Sequence, residues 1–131
     1  MTTQTPKPTE AELAILDVLW KRDSATTREV HDVLYRADGG GYTTALKMLQ
    51  IMHAKGLVQR DESERAHVYR AAVSKTQTQR RLLADLARRL FDGSSSKLAI
   101  EALGNARLSR KELDKLRELL ERHDDPKGTA S

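Results

Sequence analysis

Residues 42–70 read YTTALKMLQIMHAKGLVQRDESERAHVYR, and this stretch decides the fold. Ala45, Met48, Leu49 and Met52 recur at helical spacing, so its first half is an amphipathic helix beginning after Tyr42. Gly56 stands just past the last apolar turn, where a left-handed C-cap is usual. The period then changes. Leu57-Val58-Gln59-Arg60 and Ala66-His67-Val68-Tyr69-Arg70 read as strands, the second with Val68 and Arg70 opposite in face to His67 and Tyr69. Asp61 to Arg65 read as the turn between them. An isolated hairpin is marginal in water, so this one must lean on helices.

Working upstream, two helices are available. Thr9 with Glu12 and Thr26 with Glu29 each fit a capping box, in which a hydroxyl accepts an early helix N–H and the acid reaches back. The first helix is expected from Glu10 to Lys21, with Leu13, Leu16 and Trp20 as its stripe, widened by Ile15 and Leu19. The second follows Thr26, with Val30, Val33 and Leu34 inward. Asp38-Gly39-Gly40-Gly41 is expected to be a loose joint before the third helix. Three helices and a hairpin in this order predict a winged helix over 8–73.

Working downstream, Ser74 with Gln77 and Ser109 with Glu112 repeat the capping device. A helix from about Lys75 to Phe91 carries Leu82, Leu83, Leu86 and Leu90 on one side. Asp92 to Ser96 breaks it, and a short helix with Leu98, Ile100 and Leu103 follows. The last helix carries Leu113, Leu116 and Leu120, with Leu108 placed as a staple against Leu113. This part is too short for a core of its own, so its apolar faces need a partner, and a second copy is the economical one. The expected dimer contacts are Leu83, Leu86, Leu90, Phe91, Leu98, Leu103, Leu113, Leu116 and Leu120. The predicted fold is therefore mainly α with a small β-hairpin: a winged helix-turn-helix, then a helical dimerisation region over 74–122. Residues 1–7 and 123–131 are expected to be flexible ends.

Composition narrows the chemistry. The 131 residues include no cysteine, which excludes disulfides, thiolate nucleophiles and thiolate metal sites. Aromatic residues are 4%, so the core is aliphatic and a monomer buries little, which again favours a dimer. No apolar run is long enough to span a bilayer and Met1 to Lys7 lacks a signal-peptide core, which predicts a cytoplasmic protein without membrane insertion. The net charge of +4 comes entirely from residues 74–131, because residues 1–73 carry ten basic and ten acidic side chains. Placement of single basic residues, rather than net charge, must carry any argument for nucleic acid.

That placement is specific. Opposite its core face the third helix presents Thr43, Lys47, Gln50 and Ala54, flanked by Leu46 and Ile51. Short polar groups with one small residue suit a helix entering the major groove. Gln50 suits an adenine edge, Lys47 a guanine edge or a phosphate, and Leu46 a thymine methyl. Thr43 and Thr44 at the helix start, and Thr27 and Arg28 at the start of the second helix, are placed for phosphate, and Tyr42 beside them is a further candidate DNA contact. Arg60, Arg65 and His67 lie on or beside the hairpin tip, although Asp61, Glu62 and Glu64 lie there too. The histidines lack a second ligand at metal spacing, and no nucleophile triad or phosphate loop is present, so no cofactor, metal or catalytic residue is expected. The rival reading is a winged-helix adaptor that binds a protein and reads no bases. The neutral first half and acidic hairpin tip favour it.

The order of motifs adds a resemblance. Pro8-Thr9-Glu10-Ala11-Glu12-Leu13, Val18-Leu19-Trp20, Thr27-Arg28-Glu29-Val30, Tyr42-Thr43-Thr44-Ala45, Lys55-Gly56-Leu57-Val58-Gln59-Arg60 and Arg65-Ala66-His67-Val68-Tyr69 together resemble the penicillinase and methicillin-resistance repressors, the BlaI/MecI/CopY family. The resemblance covers about Pro8 to Leu120. It implies a homodimer with an N-terminal winged helix, repression by occupying a palindromic double-stranded DNA operator, and a membrane sensor protease as a candidate partner. Three departures stand out. Lys47 and Ile51 occupy places where members commonly carry Thr and Arg, which implies a different operator. The copper-responsive members' cysteine cluster is absent. The Asn–Phe bond cleaved in antibiotic-responsive members aligns with Glu101-Ala102, which makes that bond the candidate proteolytic site while changing its residues.

Overall fold

The computed structural model describes residues 5–37 and 39–124. Along them run α1 (Glu10–Arg22), β1 (Ala25–Thr26), α2 (Thr27–Leu34), α3 (Tyr42–Lys55), β2 (Val58–Asp61), β3 (Val68–Ala71), α4 (Lys75–Leu90), α5 (Ser95–Gly104) and α6 (Arg110–Asp124). The chain divides into two compact units between Leu83 and Ala84, within α4.

In the first unit, capping chemistry sets the helix starts. The Thr9 hydroxyl accepts the Glu12 N–H at 3.2 Å while Glu12 accepts the Thr9 N–H at 2.9 Å. Thr26 and Glu29 form the same reciprocal pair at 3.2 and 2.8 Å. At the end of α3, Gly56 adopts φ +83°. Its N–H donates to the His53 carbonyl and the Leu57 N–H to that of Met52, which closes the helix in a Schellman turn. A Cβ in that left-handed conformation would be strained, so glycine suits the turn into β2.

The core is formed by Ile15, Leu16, Val18 and Leu19 of α1, Ala25 of β1, Val30 of α2, Ala45, Leu49 and Met52 of α3, and Leu57, Val58 and Tyr69. The inward face of α1 is therefore centred on Ile15, Leu16 and Leu19. Leu13 and Trp20, expected in its stripe, lie half-buried at the rim, where the Trp20 indole N–H donates to the Val73 carbonyl at 3.0 Å. Val33, expected inward, is 54% exposed, because the eight-residue α2 turns only Val30 fully into the core.

The expected hairpin is part of a three-stranded antiparallel sheet in the order β1-β3-β2. Ala25 and Thr26 pair with Tyr69 and Val68, so the central strand is β3. Arg60 stands opposite Tyr69 in the β2–β3 register. Near the N-terminus, the Thr5 carbonyl accepts from Arg81 at 2.5 Å, while residues 1–4 of the expected flexible end lie outside the described residues.

In the second unit, Ser94 caps α5 by accepting the Lys97 N–H at 3.1 Å, and Ser109 with Glu112 caps α6 reciprocally. Asp85 and Ala87 are its buried residues among those described, and Asp85 accepts from both Arg88 and Arg89. The leucines stand differently. Leu86, Leu90, Leu103, Leu119 and Leu120 are exposed, as is Ile100, while Phe91, Leu98, Leu113 and Leu116 are half-buried. The helix α6 continues through His123 and Asp124, where a flexible tail was expected to begin; the rest of that tail lies outside the described residues. No described helix is long and apolar enough to cross a membrane.

Candidate nucleic-acid interface

The burial of Ala45, Leu49 and Met52 fixes which way α3 faces. Thr43, Lys47, Gln50, Ile51 and Ala54 are consequently all exposed on the opposite side, and Leu46 is half-buried at its edge. The start of α3 is chemically distinct from those of α1 and α2. Its N-cap is Gly41, no side chain caps it, and its first turn carries no acid. The N–H groups of Tyr42 and Thr43 precede the first hydrogen bond of this turn, which joins the Thr44 N–H to the Gly41 carbonyl at 3.1 Å. An anion approaching this end meets the positive end of the helix dipole with no carboxylate in the first turn.

Three elements converge on a cleft of about 180 Å³ beside this helix start. The α2 start contributes Thr26, Thr27 and Arg28; α3 contributes Tyr42 and Leu46; the returning strand region contributes Arg65, Ala66, His67 and Tyr69. The Arg28 guanidinium lies over the Tyr42 ring, 5.4 Å from its centroid. Thr27, expected to hold phosphate, lines the cleft but is buried, and the Thr26–Glu29 capping box occupies the start of α2.

Three acids near the cleft, Glu29, Asp61 and Glu62, have partners within the chain. Glu29 turns back onto the Thr26 N–H, and its other oxygen pairs with Arg22 at 2.7 Å. The Thr26 N–H foremost, with Arg22, holds its carboxyl below the usual range. In the β2–β3 turn, Asp61 accepts the Ser63 N–H at 2.9 Å, which lowers its pKa. Glu62 pairs with Arg60 at 2.9 Å. Two of the three acids that argued against phosphate at the tip thus have intramolecular partners. Arg60 is committed as well: its bond to the Tyr69 hydroxyl, and then Glu62, raises its pKa. Arg65 and Ala66 are exposed, and His67 is half-buried.

The structure thus brings together Thr27, Arg28, Tyr42, Leu46, Arg65 and His67, and carries Thr43, Thr44, Lys47 and Gln50 on the adjoining exposed face of α3. Sequence reasoning missed Thr26, Ala66 and Tyr69 as lining residues. Tyr69 was legible only as a strand residue, because its role comes from the Arg60 bond and from β1. Glu101 and Ala102, the candidate proteolytic bond, are exposed but lie within the helix α5, so scission there requires local unwinding.

The family model of the penicillinase repressors matches residues 8–122. The chain belongs to the penicillinase repressor family. Among relatives, it is 26% identical over 118 residues to the penicillinase repressor of Bacillus licheniformis, covering 90% of this chain and 92% of the relative. It is 30% identical over 92 residues to the transcriptional regulator BlaI of Mycobacterium tuberculosis, covering 70% and 67% respectively. Among solved structures, it matches the solution structure of the DNA-binding domain of the repressor BlaI with a TM-score of 0.50 at 27% identity, over 57% of this chain and 92% of that one. For a member of this family, the three-stranded sheet and helix-turn-helix described above form a winged helix.

Proposed function

We propose that this DNA-binding transcriptional repressor occupies a palindromic operator as a homodimer, with residues 8–73 reading DNA and residues 74–122 joining the subunits. The observation that carries the reading is the exposed strip of α3 beside the basic cleft. In each half-site α3 lies in the major groove, where Thr43, Lys47 and Gln50 contact base edges. Each good base contact contributes about 1–3 kcal/mol of discrimination. Arg28, Thr44 and Arg65 hold the phosphate backbone, so affinity falls as salt rises. Two recognition helices set about 34 Å apart, one DNA turn, match a twofold operator. Occupancy in the cytoplasm excludes polymerase. A membrane sensor protease acting at Glu101-Ala102 is the route of release that the family suggests.

The test is a footprint on genomic fragments that include the region upstream of the chain's own gene. A protected palindrome is expected, and Lys47→Ala/Gln50→Ala should abolish it while leaving weak, salt-sensitive binding to any duplex. Protection unchanged by the double substitution would remove α3 as the reading element.

A further inference from the structure

We propose that Tyr42 is a positioning residue, whose ring presets the Arg28 guanidinium so that the cleft between α2, α3 and the β2–β3 turn receives one backbone phosphodiester. The proposal rests on the DNA-binding reading above and adds to it how the cleft is organised. Arg28 is exposed, and a long exposed side chain loses rotamer freedom when it binds. Here its guanidinium already lies 5.4 Å from the Tyr42 ring centroid, within cation–π range, so part of that loss is met before DNA arrives. Arg65 and His67 face the same cleft, so a phosphate entering it meets cationic or hydrogen-bonding groups from two directions.

The ring itself is held from behind. The His31 ring packs against Tyr42 at 6.5 Å between centroids, tilted by 54°. His31 is in turn fixed by its Nε2, which donates to the Gly40 carbonyl at 2.9 Å. Gly40 makes this possible by lying against Tyr35, where a Cβ would meet the Tyr35 Cβ at 3.0 Å and its carbonyl at 3.2 Å. Its N–H donates to that same carbonyl at 2.8 Å. The glycines expected as a loose joint therefore include one that closes the turn and orients an aromatic pair.

The test measures affinity against salt for operator and non-operator duplexes. Arg28→Ala should weaken both about tenfold and lower the salt slope by about 1. Tyr42→Leu leaves the charge unchanged, yet should weaken both about two- to fivefold. Combined with Arg28→Ala, it should add nothing further. Tyr42→Phe keeps the ring and should bind as the parent does. The proposal is overturned if Tyr42→Leu binds normally, if its effect adds fully to that of Arg28→Ala, or if Tyr42→Phe is as weak as Tyr42→Leu, which would make the hydroxyl a direct contact. If the parent protein binds no duplex at all, the DNA-binding reading itself has failed, a result distinct from these.

Discussion

The two units use the same side chains in opposite ways. In the winged helix, Ile15, Leu16, Val30 and Leu49 are each 0% exposed. In the C-terminal helices, leucines at equally regular helical spacing stay outside, Leu90 at 70% and Leu120 at 62%. Periodicity alone does not distinguish these cases, since an apolar stripe reports that a face will be covered and not what covers it. The first unit covers its stripes with its own helices and sheet. The second has too little chain to do so, which is the physical reason for assigning its faces to a second subunit.

That contrast is broken most severely at Leu120. Because this side chain is largely exposed, Leu120→Asp should leave the helices formed but put a charge into the proposed subunit contact. The expected outcome is a monomer by light scattering and a loss of about 10²–10⁴-fold in affinity for a two-half-site duplex, as the second half-site ceases to bind intramolecularly. A dimer with unchanged affinity would assign the stripe elsewhere. Leu49→Ala is the converse. It removes a fully buried side chain of the winged helix and should cost about 2–5 kcal/mol of stability in urea denaturation. Self-association should persist wherever the protein remains folded. A cost below about 0.5 kcal/mol, the level of ordinary surface substitutions, would contradict the core described here.

What was legible in the sequence follows the range of the forces involved. Capping is local, so Thr9 with Glu12, Thr26 with Glu29 and Ser109 with Glu112 announced their helices correctly. Ser94 was missed because its N3 position carries Lys97 in place of an acid. The two-residue β1 has no local signal, since it exists only through pairing with Val68 and Tyr69 far along the chain. The apolar spacing of α1 announced a stripe but misplaced its centre, because Trp20 has a polar edge that binds Val73 at the rim. Within the cleft, Arg28 and Tyr42 were each legible as helix-start residues. Their stacking was not, because it depends on how the Gly40 turn sets α3 against α2.

The smallest expected effect sharpens the same contrast through ion pairs. In the second unit, Arg110 and Asp114 lie 3.8 Å apart with most of both side chains in solvent, so Asp114→Asn should change stability very little. In the first, Glu12 is 2% exposed, caps α1 through Thr9 and meets Lys55 at the end of α3 at 2.7 Å. Burial alone would raise the Glu12 pKa. The Lys55 ammonium and the Thr9 N–H outweigh it and hold the carboxyl below its ordinary 4.5. A depressed carboxyl stabilises the fold fully above its unfolded value, and that contribution is lost as pH falls through the folded value. Glu12→Gln keeps an acceptor for the cap but removes the charge. It should cost about 1–2 kcal/mol near pH 7, less than a fully buried pair would because Lys55 is partly solvated. The difference from the parent should shrink as pH falls below about 4.5. Urea denaturation of both proteins between about pH 7 and pH 3 measures it. A difference that stays constant across that range would mean that Glu12 acts through shape and hydrogen bonding alone, with its charge contributing nothing to the contact between α1 and α3.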